Sequence, residues 1–172
     1  MRTKLIFGVL LVLVALISPI VSAESFLIKG NVQPSFSMSV SSVADISFPL
    51  NTIGQNDLTT STTVTAVSNV PYSVKFKDAT VCDLCPPIIG RMKALGVSGY
   101  SGAALANPLS VSLNGAYITI TGADQTAHAG TPGDGLTAAP IKFRQTVTIS
   151  DPVLATPYVY QMLVQVTGGA NP

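Results

Sequence analysis

The sequence predicts an all-β protein, an antiparallel two-sheet β-sandwich of immunoglobulin-like type with about eight or nine strands. Apolar and polar residues alternate with a period of two through most of the chain. β-Branched residues are abundant in the same segments, and Pro, Gly and Asn separate those segments at short intervals. Only residues 90–95 and 101–106 have the composition of a short helix, and glycines flank both, so almost no helix is expected.

The first residues have the three-part layout of a secretory signal peptide. Arg2 and Lys4 precede an apolar run over 5–17, and small side chains follow at 21–23. We expect residues 1–23 to be a signal peptide, cleaved after Ala23, which leaves no membrane-spanning segment in the mature chain. An uncleaved N-terminal anchor is the alternative. In both cases the rest of the chain is predicted to lie outside the cytoplasm, and we expect a secreted, extracellular protein of the cell surface.

Residues 24–172 are expected to form a single β-sandwich domain. The clearest strand is 72–77, in which Tyr72, Val74 and Phe76 alternate with serine and lysines. In a strand, side chains at every second position point to the same face, so one face of this segment is apolar. The other predicted strands are 36–40, 45–48, 59–66, 109–113, 117–121, 141–149 and 158–166, with turns at Asn114-Gly115 and Asp151-Pro152.

Composition argues against several classes of function. The net charge is +1 and only 10% of residues are charged, without runs of either sign. A nucleic-acid-binding surface needs a concentrated basic patch, so no nucleic acid partner is expected. The residue patterns indicate no cofactor and no metal.

Two segments interrupt the alternation, and we expect both to be loops: 79–105 and 122–140. The first contains Cys82 and Cys85, which we expect to form a local disulfide that rigidifies the loop. Pairing between chains is an alternative. Haem attachment would need His where Pro86 stands, and zinc would need further ligands. A redox role would need the first cysteine at a helix N-terminus.

The second loop contains His128, the single histidine of the chain. No serine or acid lies at a motif position around it, so we expect an exposed loop histidine and no hydrolytic triad. Asp124 and Asp134 could share a calcium ion, but calcium sites gather more carboxylates. No enzyme activity is therefore expected. Tyr100, between glycines in the first loop, is the best aromatic candidate for contacting a partner.

Four short motifs carry a family resemblance: Ser68-Asn69-Val70-Pro71-Tyr72-Ser73-Val74, Gly90-Arg91-Met92, Leu105-Ala106-Asn107-Pro108-Leu109 and Phe143-Arg144-Gln145-Thr146-Val147. On the basis of these motifs, the mature chain resembles small secreted β-sandwich proteins of archaeal and bacterial surfaces. These include WxL-like surface domains and the fibre subunits of bundling pili, fimbriae and spore coats. The chain contains no Trp-x-Leu motif, because it has no tryptophan. The resemblance implies a β-sandwich fold and a cell-surface location.

The segment 24–33 follows the predicted cleavage site, carries Phe26 and Ile28 in alternation, and is separated from the next strand by Pro34. Such a segment can pair with its own sheet as a first strand, or with the exposed sheet edge of a neighbouring copy, as in donor-strand fibres. Phe26 and Ile28 are the candidate donor contacts.

We therefore predict a secreted, non-enzymatic structural or interaction protein of the cell surface, a filament or envelope subunit assembled by strand exchange with itself or with other surface proteins. An extracellular glycan- or protein-binding module that uses the loops 79–105 and 122–140 is the first alternative. A redox protein that uses Cys82 and Cys85 is the second.

Overall fold

A computed structural model describes residues 29–41, 45–81, 88–96 and 99–171. The chain has two compact units, 1–32 and 33–172, and only residues 29–32 of the first are described; they form no strand. All the strands belong to the second unit, and the described residues contain no helix. The strands are β1 (Phe36–Val40), β2 (Gly54–Ser68), β3 (Tyr72–Asp78), β4 (Lys93–Gly96), β5 (Gly99–Ala104), β6 (Ser110–Ser112), β7 (Ile118–Thr119), β8 (Gln125–Gly130), β9 (Leu136–Val147), β10 (Val159–Gln161) and β11 (Val164–Ala170).

The strands form three sheets in which every pair is antiparallel. The five-stranded sheet has the order β1-β2-β9-β6-β7. The β3 sheet has the order β11-β3-β8, and the β4 sheet has the order β10-β4-β5. The predicted all-β, antiparallel class is therefore confirmed.

The five-stranded sheet and the β3 sheet enclose a shared hydrophobic core, which makes the second unit a β-sandwich. The five-stranded sheet contributes fully buried side chains from β2, β6 and β9, and the β3 sheet contributes Tyr72, Val74 and Phe76, each without exposed area. The alternation seen in the sequence places these residues on one face of each strand. Two apolar faces that meet in this way exclude water between the layers, which is the main stabilising contribution.

The longest strands, β2 and β9, pair along most of their length, but their register shifts between Thr59 and Thr63 and again between Val64 and Ala66. Pro140 lies opposite Thr63 at this irregularity. Proline cannot donate to a ladder, and an extra residue in one strand bends it, so bulges are where a sheet tolerates proline. Beyond the first shift, β2 also pairs with β1, from Val64 to Ser68. The first register shift therefore separates the part of β2 that pairs with β1 from the part that does not, and the second lies within the paired part.

Several local predictions differ from the structure. Residues 45–48 form no strand, and Ile149 lies beyond the end of β9 with 89% of its area exposed. The hairpin at Asn114-Gly115 is present, but its strands are shorter than expected, because pairing stops at Val111 and Ile118. Alternation in a segment of four residues is too short a signal to distinguish a strand from an extended loop.

The two predicted loops contain strands, which raises the number of strands to eleven in the described residues. β4 and β5 lie within 79–105, and β8 and the start of β9 lie within 122–140. Both segments are rich in Gly and Ala, which have low strand propensity. Their composition therefore did not predict these strands, which are stabilised by pairing with other strands. Within the described part of the chain, no helix has the length and hydropathy that a membrane crossing requires.

Candidate strand-addition edge

One side of the sandwich is bounded by two outer strands, β1 of the five-stranded sheet and β11 of the β3 sheet. Each pairs with one strand only among the described residues, β1 with β2 and β11 with β3. The other edge of each strand therefore presents backbone N–H and C=O groups that no described strand pairs. Unpaired edges of this kind are where an additional strand can bind. We call this side the β1/β11 side.

The two edge strands meet across the β1/β11 side at Gly168. A Cβ atom added to Gly168 would lie 2.5 Å from Met38 Sδ and 2.9 Å from Phe36 Cζ. The β1 side chains therefore lie over the backbone of β11, and glycine is what allows this close approach. The two sheets are joined here by side-chain packing, without backbone pairing between β1 and β11 in the described structure.

The apolar side chains on the β1/β11 side are only partly covered. They pack against the fully buried core on one side and keep an accessible surface on the other: Phe36, Met38, Val40, Val164 and Val166. A strand added here would gain backbone hydrogen bonds and would cover apolar area, and these are the two contributions that stabilise β-strand addition.

The opposite side of the sandwich is closed by the chain itself. The segment between β7 and β8 crosses from one sheet to the other, and its first residue, Ile120, is fully buried. The N–H of Ile120 donates to the Leu109 carbonyl at 2.9 Å, and the N–H of Asp78 donates to the Thr121 carbonyl at 2.8 Å. The first bond extends the β6–β7 ladder and the second reaches β3, so the chain itself links the two sheets on that side, whereas only side-chain packing links them on the β1/β11 side.

Tyr72 in β3 connects the β1 edge to the far strand of its own sheet. Its ring centroid lies 5.7 Å from that of Phe36 in β1 and 5.7 Å from that of His128 in β8. The Tyr72 hydroxyl lies 3.2 Å from His128 Nε2. Burial raises the pKa of Tyr72, and the negative charge of Asp134 adds to the shift. The fully buried ring thus fixes the position of Phe36, which contributes to the β1/β11 side.

His128 therefore differs from its prediction as an exposed loop residue. It lies in strand β8, is half-buried, and is opposite Val74 in the ladder. Its neighbours explain why sequence reasoning failed: the alanines and glycine around it resemble a loop, yet β3 pairs with them. No signal in the local sequence indicates the Tyr72 contact.

The two aspartates considered for calcium have other partners. Asp124 lies 4.0 Å from the Lys77 ammonium, and the Thr131 hydroxyl donates to Asp134. Hydrogen bonds from Thr131 lower the pKa of Asp134. Across the described residues, no group of three or more His, Cys, Asp or Glu side chains is placed to bind a metal ion.

The remaining predicted site residues have different placements. Phe26, Ile28, Cys82 and Cys85 lie outside the described residues, so their roles stay predictions. Tyr100 lies in β5, not in a loop, and its hydroxyl oxygen is buried without a hydrogen-bond partner in the described structure. Its role as a partner contact also stays a prediction.

Sequence reasoning did not identify two polar side chains that bind backbone groups. Asn69, in the turn between β2 and β3, binds the chain just before β1 through its carboxamide. Gln145 in β9 is fully buried and donates to the carbonyls of Asn107 and Thr146, each at 3.0 Å. A glutamine at an apolar position of the β9 alternation, between Phe143 and Val147, was the available signal for the second.

Comparison with known proteins adds little to this description. No protein-family model matches the chain, and no curated protein matches it. A solved structure titled as that of a chaperone-usher pilus, concerned with the uncoiling of its rod, is 12% identical. The match covers 90% of this chain and 99% of that chain, with a TM-score of 0.41. At that TM-score the functional assignment has to rest on the sheets and edges described above.

Proposed function

We propose that this protein is an extracellular structural subunit that assembles with other copies of itself by β-strand addition. The segment 24–33 of one copy is the donor, and the β1/β11 side of the next copy is the acceptor. The unpaired outer edges of β1 and β11, lined by partly covered apolar side chains, are the observation that carries the proposal.

The donor and the acceptor have complementary chemistry. The segment 24–33 places Phe26, Ile28 and Val32 at alternate positions, with Gly30 between them. In an extended segment these positions share one face, which can cover the apolar side chains of the acceptor. Its backbone can at the same time pair with an outer edge of β1 or β11.

The position of the segment in the chain also supports the proposal. Residues 24–33 follow the predicted signal peptide and are separated from β1 only by Pro34 and Ser35, so they form a new N-terminus once the leader is removed. Donor and acceptor are then different surfaces of one molecule. A head-to-tail contact of this type repeats from copy to copy, and it produces an open filament when the rotation does not close a ring.

The first prediction concerns the donor. A variant with Phe26→Asp and Ile28→Asp, the donor-disabled variant, is expected to remain monomeric where the mature protein forms polymers. Two charges would have to be buried against apolar side chains, at a cost of several kcal/mol each. Light scattering and negative-stain electron microscopy of the purified mature protein measure the outcome.

The matched control is Ser25→Asp with Asn31→Asp, which introduces the same charge on the opposite face of the same segment. We expect this control to polymerise like the unmodified protein. Unchanged polymers in the donor-disabled variant would rule out the proposed function, and equal loss in both variants would point to net charge instead of strand addition.

A further inference from the structure

The residues just before β1 are bonded to the end of β2 and the turn after it, mainly through Asn69; the Ser68 hydroxyl adds one bond, donated to the Ser35 carbonyl at 3.1 Å. Asn69 Oδ1 accepts a hydrogen bond from the Ser35 N–H at 2.7 Å, and Asn69 Nδ2 donates to the Gln33 carbonyl at 2.8 Å. The backbone N–H of Asn69 also donates to the Ser35 carbonyl, at 3.1 Å. The three bonds of Asn69 bind the residues on both sides of Pro34, and we call them the Asn69 clamp.

The Asn69 clamp fixes the path of the chain before β1. Both backbone polar groups of Ser35 are bonded toward the end of β2, which continues the β1–β2 ladder by one residue. Pro34 restricts its own φ to about −65° and favours an extended conformation at Gln33. Residues 33–35 therefore continue the line of β1 and do not turn back.

This path bears on which molecule receives the donor segment. To pair with the free edge of β1 in its own molecule through a tight hairpin, the chain would have to reverse at residues 34–35. The favoured two-residue hairpin turns need a positive φ at the first central residue, which proline cannot adopt. Such a reversal would also break the bonds of the clamp.

We propose that Asn69, together with Pro34, is a positioning residue that directs the segment 24–33 to a second copy and away from the free edge of β1 in its own molecule. This inference rests on the proposed function. It concerns whose sheet edge the segment meets, whereas the proposed function concerns whether the segment adds as a strand at all.

The test uses the complete mature chain with Asn69→Ala. Loss of the two carboxamide hydrogen bonds, together roughly 2 kcal/mol, is expected to raise the monomer concentration that coexists with polymer by up to about thirtyfold. Hydrogen–deuterium exchange of that monomer should show new protection of the amides in 24–33, because the released segment pairs with the free edge of β1 in its own molecule. If Asn69→Ala only loosened the chain before β1, the amides in 24–33 would gain no protection, and that result would overturn the inference.

Asn107→Ala is the matched control, since Asn107 is a half-buried asparagine whose Nδ2 also donates to a backbone carbonyl, that of Thr146, at 3.2 Å. It is expected to leave assembly and exchange unchanged. Pro34→Gly is the second variant, and it should shift the monomer concentration in the same direction because glycine permits the reversal that proline prevents.

A binding measurement separates positioning from damage to the acceptor. The donor-disabled variant, with and without Asn69→Ala, is titrated with a synthetic peptide of residues 24–33. Equal affinities are expected, because the clamp acts on the segment of its own chain and not on the acceptor. Weaker peptide binding with Asn69→Ala would overturn the inference.

The two hypotheses fail in different ways. If Asn69→Ala assembles like the unmodified protein while the donor-disabled variant does not, the positioning role is wrong and the proposed function stands. If the donor-disabled variant itself assembles normally, the proposed function is wrong, and the positioning role is wrong with it.

Discussion

Asp78 and Lys93 form an ion pair that is almost completely withdrawn from water, with side chains 5% and 6% exposed. Asp78 ends β3 and Lys93 begins β4, so the pair joins the β3 sheet to the β4 sheet. Lys93 Nζ lies 3.0 Å from Asp78 Oδ2, and the N–H groups of Thr80 and Gly90 each donate to the same carboxylate at 2.9 Å. Burial alone would raise the pKa of Asp78, but the hydrogen bonds from Thr80, Gly90 and Lys93 hold it below its usual value.

Breaking the Asp78–Lys93 ion pair is expected to lower the free energy of unfolding substantially. Asp78→Asn leaves the Lys93 ammonium buried without its counter-charge, so we expect a loss of about 3–5 kcal/mol in the free energy of unfolding, measured by urea denaturation at pH 7. Asp57→Asn is the control, because the Asp57–Arg144 pair, although bidentate, is partly exposed to water and is expected to contribute less than the buried pair. Equal effects of the two substitutions would contradict the structural role of the buried pair.

The lowered pKa of Asp78 also gives the sign of a pH effect. A carboxylate with a lowered pKa in the folded state contributes stability that is present above its unfolded pKa of about 3.9 and is lost as the pH falls toward the folded value. The difference in unfolding free energy between the unmodified protein and Asp78→Asn should therefore shrink below about pH 4. A difference that grows with acidification would mean that the carboxylate is not stabilised in its charged form.

At the scale of single elements, β11 matters because alternate residues face different surroundings. Val166 is half-buried on the β1/β11 side, whereas Gln165 points outward. Val166→Asp, the acceptor-disabled variant, is expected to abolish assembly, because an added strand would bury an unpaired carboxylate at a cost of several kcal/mol. Gln165→Asp places the same charge one residue away on the outer face and should assemble normally, as judged by light scattering.

Val166 also packs against the core, so the acceptor-disabled variant needs a check on folding. Thermal unfolding monitored by circular dichroism provides it. Val166→Thr is the milder companion, since it nearly keeps the shape of valine and should weaken assembly in the same direction. Normal polymers in a folded acceptor-disabled variant would exclude the β1/β11 side as the acceptor.

At the scale of the whole molecule, donor and acceptor are separate surfaces, which predicts the outcome of mixing. The donor-disabled variant retains an acceptor, and the acceptor-disabled variant retains a donor. Each should be monomeric alone, whereas an equimolar mixture should form a one-to-one heterodimer that cannot extend further. Size-exclusion chromatography with light scattering measures the mass, and a mixture that stays monomeric would contradict head-to-tail addition.

The elements predicted correctly are those whose signal is local. Tyr72, Val74 and Phe76 alternate with polar residues and form β3, and the Thr-rich run of 59–66 lies inside β2. Strands β4, β5 and β8 were missed because they are rich in Gly, Ala and small polar residues. β4 and β8 pair with the distant strands β10 and β3, and β5 is attached to its sheet through β4. The contact of His128 with Tyr72, 56 residues away in the chain, could not be predicted for the same reason.

The sequence by itself determined that the chain folds into antiparallel sheets, because alternation is a property of neighbouring residues and follows from the period of a strand. It also indicated an export leader and a strand-like segment at 24–33. Only the tertiary structure decided that β1 and β11 are outer strands and that Asn69 holds the chain before β1. Which strands end at an edge depends on pairings between residues far apart in sequence, and local patterns carry no information about such pairings.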